Sequence, residues 1–242
     1  MQPLYNKNKG VMNVAGFMSG SGTNLRKIIE HEKNTQPNYH VTVIFSDCPD
    51  SNAEKIGKDY NIPVIIHDKK VYYAKRNKPL RDLAVRAEFD SETVQVLKPY
   101  NISCVAYAGY MSIVTKPLIK AFIGVNVHPA DLSIMEHGKR KYTGAHVVRD
   151  AILAGATEIR ATTHLVEEIV DDGRILMISA PVIIPPGTTT DQAESYQNKL
   201  KETGDWIIFP KTLEYISEGR FSQDETGKLY FDEKIIFDGV RL

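Results

Sequence analysis

Short apolar runs rich in β-branched residues alternate with helical patterns through the first half of the chain, a pattern that favours parallel strands joined by crossover helices. VMNVAGF (11–17) predicts a first strand buried on both faces, VTVIF (41–45) a second and PVIIH (63–67) a third. Between the first two, a Gly/Ser loop leads into a helix from about Asn24, with Leu25, Ile28 and Ile29 as its apolar stripe. A long amphipathic helix ends near Pro99, with Leu80, Leu83, Ala84, Val94 and Leu97 expected on its buried side. ISCVAYA (102–108) and GVNVH (124–128) predict two further strands.

The pattern then changes. Residues 144–154 read as a helix closed by Gly155. RATTHLVEEIV and RILMISAPVII flank an Asp-Asp-Gly turn, a hairpin signal. One or two helices span about 190–217, and KLYF and KIIF predict two last short strands after Gly227. Together these elements predict an α/β fold: a Rossmann-like, mostly parallel twisted sheet with a C-terminal antiparallel hairpin extension. No linker composition divides the 242 residues, so residues 11–242 are expected to form a single domain behind a flexible lead-in at 1–10.

Composition narrows the partners. Thirty basic and thirty acidic residues cancel, so no global field favours nucleic acid or an anionic membrane, and small-molecule partners are expected. Neutrality does little to keep copies apart, which leaves monomer and homodimer open. Two cysteines are too few for a disulfide framework, and a reducing cytoplasm is the simplest compartment. The first ten residues lack the apolar stretch of a signal peptide.

Two segments carry candidate chemistry. SGSGTNL (19–25) joins a buried strand to a helix; Gly20 and Gly22 can take positive φ, and Thr23 or Asn24 can cap the helix. Backbone N–H groups converging at a helix N-terminus suit a phosphate, although two glycines also serve an ordinary tight turn. Leu25 stands where a dinucleotide fingerprint needs its third glycine, and no Gly-Lys-Ser/Thr follows; a phosphomonoester fits better. In VNVHPADL, Asn126 and His128 lie two residues apart on an extended segment and share a face. A carbonyl under attack needs a donor for its oxyanion, such as an Asn amide, and a proton carrier near neutrality, such as imidazole. Asp171, in IVDDGRI, is by itself an ordinary turn residue. If the hairpin folds back over the sheet edge, its carboxylate would approach His128, raise the histidine pKa and keep that ring charged; the residues alone do not bring the two together.

SGSGTNL, AGYMSIV (108–114), VNVHP and a later VDDG occur in this order, and on them the chain resembles the folate-dependent formyltransferases of purine synthesis over about 11–242. The resemblance implies the formyltransferase fold, 10-formyltetrahydrofolate as donor, a phosphorylated primary amine such as glycinamide ribonucleotide as acceptor, and no metal. It joins Asn126, His128 and Asp171 as a catalytic trio. It gives Gly22, Thr23 and Asn24 to the substrate phosphate, and Glu202, Thr203, Gly204 and Asp205 to its ribose and phosphate. Met111, Ser112, Ile113 and Val114 would meet the pterin through their backbone, with Asn126 alongside and Glu167, Glu168, Ile169 and Val170 opposite. Arg86 matches an arginine that meets the folate tail, and Gly144 a glycine of a substrate-lining loop.

The departures surround the ligands rather than the trio. ADLS replaces the usual Ser-Leu-Leu-Pro after His-Pro, an insertion through MEHGKRK follows, and Ser112 stands where an arginine is common. They leave the amine acceptor open. An amino sugar nucleotide, water, or binding without turnover stand as alternatives. A transfer-RNA acceptor is disfavoured by the zero net charge.

Overall fold

The computed structural model describes all residues, 1–242. The chain divides into two compact units, 5–125 and 126–242 together with 1–4. The division falls inside the strand Ile123–His128, so no loop or linker composition marks it.

The 5–125 unit is a parallel sheet with strand order Cys104–Tyr107, Met12–Met18, Tyr39–Ser46, Val64–Ile66. Met12, Val14, Ala15, Phe17 and Met18 are fully buried, as expected of a strand covered on both faces. The helix Thr23–Thr35 buries Leu25, Ile28 and Ile29, the expected stripe. The long helix runs Leu83–Leu97, but its buried face differs from the apolar one expected. Asp82 accepts from the Ala84 and Val85 N–H groups and starts the helix late. Leu80 and Leu83 are left 55% and 57% exposed, while Arg86, Phe89, Asp90, Thr93 and Leu97 turn inward. A charged pair therefore occupies part of the face that apolar periodicity would assign to leucines.

The second unit is mixed. Thr162–Leu165 pairs antiparallel with Ile175–Ile178, forming the expected hairpin with a register shift between Thr163 and His164. Val240–Arg241 adds in parallel to Ile175–Ile178. Val147–Leu153 is the expected short helix, and Gly155 follows its end at φ +69°. Between 190 and 217, the helices Ala193–Leu200 and Trp206–Ser217 are joined by a π-helical turn over Lys201–Asp205. Such single wide turns recur at functional sites.

The lead-in is not free. Gln2 and Pro3 pair antiparallel with Gln223 and Ser222, and Leu4 N–H donates to Phe221 O. They extend a small antiparallel sheet with Phe221–Gln223, Leu229–Phe231 and Lys234–Ile236. Polar composition hid this, because ladder pairing uses backbone groups that any residue carries. No helix is long and apolar enough to cross a membrane.

Candidate active site

The strand Ile123–His128 turns Asn126 and His128 to one face, and the hairpin arm Thr162–Leu165 places His164 beside them. Asn126 Nδ2 lies 3.2 Å from His164 Nε2, and His164 Nδ1 lies 2.8 Å from Leu165 O. A backbone carbonyl only accepts, so Nδ1 carries the His164 proton and Nε2 accepts from the Asn126 amide. Burial pushes His164 down to about 4, so the ring is neutral at neutral pH and this orientation is fixed. That bond uses one of the two N–H groups of the Asn126 amide.

Asp171 occupies the hairpin turn with left-handed backbone, φ +55°, a conformation asparagine and aspartate tolerate better than most residues. Its Oδ2 lies 3.6 Å from His128 Nδ1 and accepts from Gly144 N–H at 3.0 Å; its Oδ1 lies 3.8 Å from His164 Nε2. His128 Nε2 donates to Tyr142 O at 3.0 Å. The three residues named from the sequence are therefore brought together, and His164 joins them.

The charge state of His128 departs from expectation. The ring is 4% exposed, and burial lowers its pKa by more than Asp171 raises it. At neutral pH the resting ring is neutral, with Nε2–H on Tyr142 O and the Nδ1 lone pair toward Asp171. Two acceptors 3.6 Å apart do not bond; a proton on Nδ1 would convert that gap into an ion pair.

His164, which no sequence motif singled out, is a buried strand residue, 2% exposed. The signal for its role was the hairpin itself, whose first arm is the neighbour of the Asn126 strand.

In the 5–125 unit, the glycine loop departs from the sequence reading at Gly20, which does not take positive φ; Gly22 does, at +69°. A Cβ on Gly22 would lie 2.5 Å from Ile56 Cδ1 and 2.7 Å from Met18 Cε. Gly22 itself is the N-cap of the Thr23–Thr35 helix, which has no side-chain cap. Ser19 Oγ donates to Asp47 Oδ1 and accepts from Met111 N–H. Ser112 Oγ donates to Asp47 Oδ2 and accepts from Lys69 Nζ at 2.9 Å, so Asp47 ties the ends of two loops together. Met111 and Ile113 are 76% and 53% exposed, unusual for apolar side chains.

Arg86, which the resemblance gives to a folate tail, is held inside the 5–125 unit. It is 4% exposed, and its guanidinium is taken by Asp90 at 2.7 Å and the Tyr110 hydroxyl at 2.6 Å. Asp90 Oδ2 in turn accepts from Thr115 N–H and Oγ1, both at 2.7 Å. This pair grips both ends of the 110–115 segment.

In the second unit, Ile169 and Val170 are 67% and 60% exposed, while Glu167 is tied to Arg174 at 2.7 Å. Gly204 and Asp205 are buried in the π-helical turn, and Glu202 and Thr203 are exposed.

A mixed α/β chain that gathers an amide donor, a neutral imidazole and a carboxylate in one cluster is equipped for transfer of a carbonyl-bearing group. The chain belongs to the formyl transferase family, whose model matches residues 12–213. It is similar to a phosphoribosylglycinamide formyltransferase from Bacillus halodurans, at 31% identity and TM-score 0.68, over 84% of this chain and 93% of that one. The corresponding enzyme of Coxiella burnetii shares the fold, with TM-score 0.77 at 22% identity, over 96% of this chain and 99% of that one. The trifunctional purine biosynthetic protein adenosine-3 of Drosophila melanogaster is 28% identical over 210 residues. That match takes in 85% of this chain and only 14% of the relative's length.

Proposed function

We propose that this chain transfers the formyl group of 10-formyltetrahydrofolate to the primary amine of glycinamide ribonucleotide, as in de novo purine biosynthesis. The observation that carries this reading is the Asn126–His128–Asp171–His164 cluster in a chain of the formyl transferase family. The amine nitrogen attacks the formyl carbon, and the carbonyl π electrons move to oxygen. The Asn126 amide, aimed by His164, donates to that oxyanion. The proton shed by the attacking nitrogen goes to Nδ1 of the neutral His128, where Asp171 then faces a cation. Collapse returns the electrons to the carbonyl and breaks the carbon–N10 bond; N10 takes the proton that His128 received, which restores the neutral ring.

Gly22, Thr23 and Asn24 would take the acceptor phosphate. A helix N-terminus with no side-chain cap, at a glycine whose φ excludes most other residues, supports that role. Glu202, Thr203, Gly204 and Asp205 would meet the ribose side. Met111, Ser112, Ile113 and Val114, together with Glu167, Glu168, Ile169 and Val170, would meet the folate. Met111 and Ile113 in the 5–125 unit, and Ile169 and Val170 in the other, are each exposed and apolar, which supports that role for each segment. With Ser112 turned toward Asp47, that segment offers its backbone. Cys48 and Cys104 are both free thiols, which suits the cytoplasm.

The test is to incubate the protein with 10-formyltetrahydrofolate, with and without glycinamide ribonucleotide, and follow deformylated folate by absorbance. Release that depends on the amine is the expected result. Release without it would identify a hydrolase, and tight folate binding without release would overturn catalysis.

A further inference from the structure

The segment inserted after Ser133 is an ordered hairpin. Met135–Glu136 pairs with Lys139–Arg140 across a two-residue turn in which His137 and Gly138 both have positive φ, +51° and +77°. Lys141 N–H closes the hairpin on Ile134 O. From it the Arg140 side chain, 12% exposed, reaches the catalytic turn. Its Nη1 donates to Asp171 O at 2.6 Å and its Nη2 to Gly173 O at 2.8 Å. The chain leaving the hairpin supplies Tyr142 O to His128 Nε2 and Gly144 N–H to Asp171 Oδ2.

We propose that Arg140 is a positioning residue for formyl transfer, holding the Asp171–Gly173 turn so that the Asp171 carboxylate faces His128. This rests on the catalytic reading above. The planar fork is what the geometry uses: two carbonyls two residues apart each receive an N–H from a different guanidinium nitrogen, a spacing the rigid fork holds and a single ammonium nitrogen on a flexible stem does not. Without it, Asp171 has a left-handed turn that costs energy and one remaining tether, the Gly144 N–H. The charged groups around the turn are few. His128 faces Asp171 and Arg140; His164 faces Asp171, His128 and Arg140; and Arg140 faces Asp172, Asp171, Glu167 and Asp238.

A double-mutant cycle separates positioning from general damage. Arg140→Ala in the otherwise unaltered protein is expected to lower kcat about 5- to 10-fold, no more than the loss of the Asp171 carboxylate itself, with KM for both substrates changed less than about 3-fold. In an Asp171→Asn background the same substitution should cost under about 3-fold, because the group Arg140 serves is already disabled. Additive losses, or a loss carried mainly by KM, would overturn the proposal. Lys139→Ala, on the same hairpin and exposed, should leave kcat unchanged. The second readout needs no turnover and so stands apart from the activity assignment. In NMR titrations of His128, Arg140→Lys keeps the charge and loses the fork. It should lower the His128 pKa in the same direction as Asp171→Asn, and an unchanged or raised value would sink the idea.

Discussion

The Arg86–Asp90 pair of 5–125 and the His128–Asp171–His164 group of 126–242 are both largely buried, and they are built to opposite specifications. In 5–125, Arg86 and Asp90 meet at 2.7 Å, with Tyr110 and Thr115 taking further bonds. In 126–242, His128 and His164 stand 3.6 and 3.8 Å from Asp171, too far for a bond. The first cluster is at contact, so it braces a loop and has no gap to close. The second keeps a gap that a single added proton would close. Burial alone does not mark a catalytic cluster. What marks it is a charge state that the resting geometry leaves unsatisfied.

The comparison breaks first at His128. His128→Ala removes the proton acceptor and should lower kcat by about 10²–10⁴-fold while leaving folate affinity largely intact. Rapid-quench turnover with parallel folate binding checks this; a variant that kept most of its activity would remove His128 from the chemistry. The clamp should fail differently. Asp90→Asn leaves Arg86 buried beside a neutral partner and is expected to cost about 3–5 kcal/mol in a denaturant melt. Arg86→Met with Asp90→Leu should recover most of that loss, because neither charge is then stranded. A double variant no better than the single one would mean that the pair itself contributes net stability.

These clusters were unequally legible in the sequence. Asn126 and His128 could be read from two-residue spacing on an apolar strand, since strand geometry fixes which side chains share a face. Asp171 and His164 could not, because they arrive through a hairpin whose fold-back is a long-range event; only the ordered motifs of the family connected Asp171. The parallel strands and crossover helices were legible from period and turn residues. The burial of Arg86 was not legible, because nothing local distinguishes an arginine that turns inward on a helix from one that faces solvent. Its i,i+4 partner Asp90, which makes its burial tolerable, is visible only once the helix start at Asp82 is known. The charge on His128 was misjudged because sequence shows the neighbouring carboxylate and not the desolvation that outweighs it.

The two clusters also carry opposite pH signs. His164 is held at about 4, so between that value and the ordinary histidine range the unfolded chain binds more protons than the folded one. Its contribution is therefore present at neutral pH and lost as pH falls through that window, by roughly 3 kcal/mol. Burial raises the Asp90 carboxyl above its ordinary value despite Arg86, so its contribution runs the other way: present in acid and lost as pH rises. Melts of the wild type and His164→Gln between pH 4 and 7 test this. The variant should show a visibly flatter acid slope, and an unchanged slope would place the acid sensitivity elsewhere.

The smallest effect tests the gap itself. Asp171 opposes burial at His128, so Asp171→Asn should lower the His128 pKa further and move the acid limb of kcat/KM to lower pH. The wild-type limb should already lie below the ordinary histidine value, because burial wins. At neutral pH the variant's imidazole is still neutral and able to accept a proton, so the fraction of competent enzyme is unchanged. What it lacks is the anion that meets the new imidazolium, and kcat should fall about 10-fold while the limb moves left. A limb that moved right would mean that the carboxylate acts on His128 chiefly through the backbone of its turn. Charge and position would then have to be separated at Arg140 rather than at Asp171.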